Sequence, residues 1–195
     1  MSKESEVKQT EESSLYPVTI EINARLQPFD RGDLYEDPIA EALESTGLGA
    51  VVGGGTLMQR SGEVGLCDVH IDIIDSTPES IAKLMEIIEG LRLPKGSFLK
   101  AENLEQPVGI LEGLALYLNG TELPDEVYKT SDINHVVAKI NEMLTGVGAM
   151  YSHWRGPEET ALYFYGVSFE EMKRKMEPFL AEYPLCQKCR VEQIA

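Results

Sequence analysis

The order of predicted secondary structure elements occurs twice along this chain of 195 residues, and this repetition constrains its fold more than any other feature. The apolar spacing of residues 16–101 predicts the order β-α-β-β-α-β, and the same order begins again at about residue 109. Residues 47–50 (Gly-Leu-Gly-Ala) also match residues 146–149 (Gly-Val-Gly-Ala), each before the second strand of its half. We therefore expect two copies of one structural unit.

Two strands of the first half place polar side chains on a common face. Apolar and polar residues alternate in residues 17–25, and residues 66–74 repeat the pattern. The polar residues are Thr19, Glu21, Asn23 and Arg25 in one strand and Asp68, His70 and Asp72 in the other. Between these strands, a charged loop is predicted for residues 27–36, followed by a short helix that Asp37 and Pro38 begin.

The equivalent strands of the second half are aromatic instead of charged. The alternating residues that share a face are Ala115 and Tyr117 in one strand and Ala161, Tyr163 and Tyr165 in the other. A neighbouring strand at residues 147–154 adds Tyr151 and His153 to this face, or Trp154 if its register differs. A shift of one residue exchanges the two faces of a strand, so this assignment depends on register.

This order of elements resembles the ferredoxin-like fold, a split β-α-β sandwich. The resemblance covers the chain from Tyr16 onward. It implies an α+β protein with two antiparallel four-stranded sheets, each carrying its helices on one face. We expect the two repeats at residues 15–104 and 105–195, after a disordered polar tail at residues 1–14.

A second resemblance rests on two short motifs of the first half. The sequence Arg31-Gly-x-x-x-Glu36-Asp-Pro38, followed by Gly53-Gly-Gly-Thr56, is similar to a pattern found in a family of bacterial proteins of uncharacterised function. The glycines lack the lysine of a phosphate-binding P-loop, and no helix follows them. We expect a ligand, or the charged segment at residues 30–37, to lie against the backbone of Gly54 and Gly55.

Three arrangements are open for the sheet faces that the helices leave free. The two faces could pack on each other or join edge to edge, which would bury the tyrosines with paired hydroxyls. They could instead form a ligand cleft with one aromatic and one charged wall. A homodimer through the tyrosine face is the third arrangement.

The net charge of −16 restricts the partners that we expect. A concentrated basic surface is needed for nucleic acids and for anionic membranes, so we expect neither as a partner. The charge favours either simple solubility or a basic protein partner. No segment has the roughly 18 apolar residues that cross a bilayer, and the three cysteines form no disulfide framework, so we expect a cytoplasmic protein.

Candidate chemistry is weak in this sequence. Glu21, Asp68, His70 and Asp72 could hold a metal or act as an acid–base set, but no ligand spacing supports a metal and none is predicted. Cys186 and Cys189 form a Cys-x-x-Cys motif after a helix rather than at its N-terminus, so redox chemistry is not favoured. Arg25 and Arg31, assisted by Lys95, could bind an anionic group. No serine or cysteine nucleophile is placed beside a histidine.

The sequence therefore favours a non-enzymatic acidic binding module that recognises a partner protein, as an immunity or inhibitor protein does. One alternative is a small-molecule sensor or carrier with a tyrosine-lined pocket. Another is an acid–base or metal-dependent enzyme that uses Glu21, Asp68, His70 and Asp72. No cofactor is predicted. The predicted ligand-binding residues are Glu21, Arg25, Arg31, Gly54, Gly55, Asp68, His70, Asp72, Tyr117, Tyr163 and Tyr165.

Overall fold

Two antiparallel β-sheets, one from each half of the chain, form the framework of this computed structural model, which describes residues 15–195. The predicted tail at residues 1–14 lies outside the described residues. The first sheet has the spatial order β2-β3-β1-β4-β5. Its strands are β1 (Tyr16–Ile22), β2 (Gly49–Met58), β3 (Val64–Ile73), β4 (Phe98–Ala101) and β5 (Leu104–Pro107).

The second sheet has the order β7-β8-β6-β9. Its strands are β6 (Glu112–Asn119), β7 (Gly148–Arg155), β8 (Glu159–Gly166) and β9 (Arg190–Gln193). In both sheets the first and third strands of the unit are central neighbours, with the fourth and second outside them, which is the ferredoxin-like arrangement. The α+β fold with two antiparallel sheets is therefore confirmed, except that the first sheet gains a fifth strand.

Six α-helices occur in the described part of the chain. They are α1 (Pro28–Arg31), α2 (Asp37–Thr46), α3 (Pro78–Gly90), α4 (Asp125–Thr130), α5 (Ile133–Met143) and α6 (Phe169–Glu182). A π-helical turn at Gly32–Glu36 joins α1 to α2, and a 3₁₀ turn at Pro184–Cys186 follows α6. None of these helices has both the length and the apolar character to span a bilayer.

The charged loop predicted at residues 27–36 is wrong, because this segment is helical from Pro28 onward. Proline suits the first helical turn, and the buried residues Arg31, Tyr35, Ile39 and Leu43 then recur every four positions. The π-helical turn adds a residue to the helix, and such turns recur at functional sites. Charged residues are so frequent in this segment that its pattern predicts a loop rather than a helix with one apolar face.

The strand β5 was not predicted, and it crosses the boundary expected between residues 104 and 105. It pairs with β4 through a tight turn, with Leu99 opposite Gln106 and Lys100 opposite Glu105. The first sheet therefore extends to Pro107, and the connection to the second sheet follows it.

The helices cover one face of each sheet, as the alternation predicts. Below the first sheet, Ile20 and Val69 are fully buried in one cluster with Leu43 and Leu84 from α2 and α3. Below the second sheet, a separate cluster joins the leucines of β6 to α5 and α6. Its central members are Leu114, Leu116, Phe164, Val136, Ile140, Met172 and Met176. The polar residues of β1 and β3 therefore lie on the face that no helix covers.

The tyrosine face of the second sheet is buried against the first unit. Tyr117, Tyr163 and Tyr165 belong to the same core cluster as Ala24 and Leu26, which follow β1. The predictions of an open tyrosine-lined pocket and of a homodimer through this face are therefore wrong, because the chain itself covers the surface. Burial with paired hydroxyls was the right arrangement, but the covering elements are the segment after β1 and the β2–β3 hairpin rather than the polar sheet face.

Candidate functional site

Four predicted site residues, Glu21, Asp68, His70 and Asp72, come together on the open face of the first sheet. Cross-strand pairing places Glu21 opposite Asp68 and Thr19 opposite His70. The side chains of these rows project from the same face, because strand residues two apart share a face. The full rows are Gly55, Asp68, Glu21, Phe98 and Pro107, then Gly53, His70, Thr19, Lys100 and Glu105, then Ala50, Asp72 and Pro17. We call this surface the acidic face.

Lys100 shows how a cation is held on the acidic face. Its ammonium nitrogen lies 2.9 Å from Glu21 Oε2 and 3.8 Å from Glu105 Oε1. It also lies 5.6 Å from the centre of the Phe98 ring, within the range of a cation–π contact. The hydrogen bond to Glu21 raises the pKa of Lys100, so the ammonium remains charged at neutral pH.

The two aspartates of β3 lack such a cation. Asp68 Oδ1 is shielded from solvent and has no aligned hydrogen-bond donor. Its neighbour is Nε2 of His70, 3.1 Å away, and this contact is an ion pair only when the imidazole carries a charge. Within residues 15–195, Asp72 makes no ion pair and its carboxylate accepts no hydrogen bond. The centre of the acidic face therefore carries uncompensated negative charge.

The two motifs of the first half, at residues 31–38 and 53–56, lie in contact on the helix side of β2. A Cβ atom on Gly54 would lie 2.5 Å from Glu36 Oε1 and 3.2 Å from Arg31 Nε. Arg31 is buried, pairs with Glu36, and donates to the backbone oxygen of Gly55 at 2.8 Å. The charged segment thus lies against the glycines, as expected. These contacts of Arg31 all lie within the chain, and its role in binding a ligand stays a prediction.

The glycine at position 55 serves the other face of the same strand. A Cβ atom there would lie 2.8 Å from Asp68 Oδ1. Gly54 therefore admits the Arg31–Glu36 pair below the sheet, and Gly55 admits the Asp68 carboxylate above it. Any larger residue at position 55 would displace Asp68 from its present place in the acidic face.

Arg25 and the three tyrosines lie away from the acidic face, around a residue that sequence reasoning missed. Glu63 Oε1 accepts hydrogen bonds from Arg25 at 2.7 Å, from Tyr163 at 2.7 Å and from Tyr117 at 2.9 Å. The hydroxyl of Tyr165 accepts one from the Arg25 backbone N–H. Glu63 stands in a turn between two strands, and no local pattern indicates that its carboxylate is buried between the units.

These buried tyrosines predict a loss of stability at alkaline pH. Burial, followed by the Glu63 contacts, raises the pKa of Tyr163, and burial also raises that of Tyr165. Stability is therefore full below the unfolded pKa of about 10, and each such tyrosine removes about 1.4 kcal/mol per pH unit above it. Urea unfolding measured between about pH 8 and pH 11 should show this slope. A Tyr163→Phe variant with an unchanged slope would contradict the assignment.

The histidine, cysteine, aspartate and glutamate side chains of the described residues are the groups that could bind a metal ion or react as thiols. No group of three or more histidine, cysteine, aspartate or glutamate side chains there is arranged to hold a metal ion. Cys67, Cys186 and Cys189 are free thiols. Burial raises the pKa of Cys67 and of Cys186 to about 12, so neither is a thiolate at neutral pH.

Comparisons with known proteins do not place the chain in a family. No family model and no curated protein sequence matches it. The first two RRM domains of the yeast poly(U)-binding protein are 8% identical over 91% of this chain and 99% of that one, with a TM-score of 0.26. The regulatory subunit of aspartate kinase from Thermus thermophilus is 13% identical over 85% and 95% of the two chains, with a TM-score of 0.27. Values this low give no information about function.

Proposed function

We propose that this protein is a non-enzymatic binding module whose acidic face binds a basic segment of a partner protein. The observation that carries this proposal is the pair of aspartates on the central strand β3. Asp68 and Asp72 lie on a sheet face that no helix covers, and no lysine or arginine within residues 15–195 pairs with either carboxylate. A cationic side chain from a partner would supply the missing charge.

The contacts of Lys100 support a lysine or arginine as the recognised group. One cation from the chain itself already lies between two carboxylates and over an aromatic ring on this face. Asp68 and Asp72 lie in the rows on either side of the Lys100 row, and neither carboxylate has a lysine or arginine partner within residues 15–195. A polar and half-exposed sheet face suits an extended basic segment, whose side chains would project onto successive rows.

The overall charge supports the same partner class. A net charge of −16 attracts basic molecules over long distances and raises their association rate, while salt weakens the attraction. A protein that covers a basic site of its partner in this way acts as an immunity or inhibitor protein does. We propose a cytoplasmic location, because an odd number of cysteines in the sequence favours a reducing compartment.

The proposal predicts charge-dependent binding that is localised to the acidic face. A short oligolysine peptide, titrated by calorimetry, should bind the Asp68→Asn/Asp72→Asn variant about tenfold more weakly than the unsubstituted protein. The matched control is Glu170→Gln/Glu177→Gln on α6, which removes the same charge from exposed positions. Its binding should change less than about twofold at the same ionic strength.

Two outcomes would overturn the proposal. Equal weakening in both variants would mean that only the net charge attracts the peptide. Binding of a single-stranded RNA oligonucleotide to the same face, lost in a Phe98→Ala variant, would identify nucleic acid rather than protein as the partner.

A further inference from the structure

The second unit contains a cleft of about 720 Å³ on the helix side of its sheet, which the proposed function does not use. The ends of β6, β7 and β8 form its floor, and α5 forms one wall. Its volume lies within the range of roughly 300–1,000 Å³ that is usual for small-molecule sites. The apolar lining residues are Leu118, Ile133, Val137, Met150, Leu162 and Leu185.

One end of the cleft is basic. His153 and Arg155 project from β7 on the same face as Leu162, which lies opposite His153. Arg155 is exposed and has no ion pair with any residue from 15 to 195. Of the two lining acids, Glu159 accepts hydrogen bonds from Nε and Nη2 of Arg190, and Glu158 forms no ion pair within residues 15–195. The cleft thus combines an apolar body with one uncompensated cation.

The internal repeat allows the surroundings of Arg155 to be compared with the equivalent part of the first unit. β2 and β7 each carry a bulge at the same relative position, between Val51 and Gly53 and between Met150 and Ser152. Counting from the bulges, Gly54 and Thr56 of β2 correspond to His153 and Arg155 of β7. In the first unit, the Arg31–Glu36 ion pair occupies the space beside Gly54 and Thr56. In the second unit, the strand supplies the arginine, and no described carboxylate pairs with it.

We propose that this cleft binds a small amphipathic monocarboxylate. The ligand carboxylate would pair with the Arg155 guanidinium, as Glu36 pairs with Arg31 in the first unit. Its apolar body would lie over Val137, Met150 and Leu162. The site holds one free arginine in a protein of charge −16, so it suits a single negative charge rather than a phosphate chain.

Octanoate and octanol are the probes that test this proposal, since they share an apolar body and differ in the carboxylate. In calorimetric titrations, the unsubstituted protein should bind octanoate more tightly than octanol. Arg155→Gln should weaken octanoate binding about tenfold, because it removes a charge-assisted hydrogen bond, and should change octanol binding less than about twofold. Arg60→Gln, which removes the same charge from the first unit, is the matched control and should leave both unchanged.

A second measurement locates the ligand without any substitution. Octanoate should shift the methyl NMR signals of Ile133, Val137 and Met150 and leave those of Val18 and Ile20 in the first unit unchanged. The proposal is overturned if octanol binds as tightly as octanoate, if Arg155→Gln and Arg60→Gln behave alike, or if no cleft methyl signal responds. None of these results bears on the acidic face, so the two proposals fail independently.

Discussion

Replacing Glu63 with alanine is expected to lower the free energy of unfolding by about 3–5 kcal/mol, the usual loss when one partner of a buried ion pair is removed. Glu63 is only 9% exposed, and one of its oxygens accepts hydrogen bonds from Arg25, Tyr117 and Tyr163. Alanine would leave a guanidinium and two hydroxyls between the units without their acceptor. Urea unfolding, followed by circular dichroism, measures the loss.

Trp154 gives this prediction a local readout. It is the single tryptophan of the chain and lies beside the β2–β3 hairpin, where a Cβ atom on Gly62 would be 3.6 Å from its ring nitrogen. If Glu63 joins the two units, Glu63→Ala should shift the Trp154 fluorescence toward that of an exposed indole before the chain unfolds. The exposed Glu86→Ala on α3 serves as the control and should alter neither stability nor fluorescence.

A double-mutant cycle separates this role from general packing. Tyr163→Phe alone should destabilise the protein by about 1 kcal/mol, because it deletes one hydrogen bond. In the Glu63→Ala background the same change should have a much smaller effect, since the acceptor is already absent. Additive effects would show that Glu63 and Tyr163 act separately. They would contradict the conclusion that the buried groups around Glu63 stabilise the protein together.

Replacing Arg31 with alanine is expected to destabilise the protein by about 3 kcal/mol or more, again because one partner of an ion pair would be left without its counter-charge. The Arg31 side chain is 10% exposed and pairs with Glu36, which would remain partly buried without a cation. Arg31 also donates to the Gly55 oxygen and to Thr56 on β2, an edge strand of the first sheet. Its loss would leave part of that edge unpaired and open to association with other chains.

Two further variants test this explanation for Arg31. Arg31→Lys keeps the charge but loses the forked geometry, so it should recover only part of the stability. Arg31→Met/Glu36→Leu removes both charges and should be more stable than Arg31→Ala alone. If Arg31→Ala unfolds at the same urea concentration as the unsubstituted protein and stays monomeric in light scattering, the pair has no structural role. Oligolysine binding by Arg31→Ala, where the variant folds, should be unchanged, because Arg31 lies on the opposite side of the sheet from the acidic face.

Much of the acidic face was predictable because strand alternation is a local property. Side chains at successive strand positions point to opposite faces, so the apolar residues of β1 and β3 assign Glu21, Asp68, His70 and Asp72 to the other face wherever helices cover the first. The close approach to Gly54 was predictable for a similar reason. Three glycines in a strand weaken it, and a neighbouring group in contact with the backbone explains their presence.

The helix over residues 28–36 and the role of Glu63 were not predictable in this way. The helical segment is rich in charged residues, and its polar groups find partners far along the chain, such as Ser152 for Asp30 and Thr56 for Arg31. Glu63 likewise finds Tyr163, which is 100 residues away. Propensity and periodicity describe neighbours in sequence, and they carry no information about such partners.

The sequence by itself determined the two repeated units, the helices beneath each sheet and the polar or aromatic character of the two remaining faces, because these follow from the spacing of residues within single elements. Only the tertiary structure decided which of the two faces is covered. The contact between Arg25 and Tyr165 joins positions 140 residues apart, and it closes the aromatic surface while leaving the acidic one open. That choice depends on how one unit packs against the other, which is set by shape and by paired buried groups rather than by any local pattern.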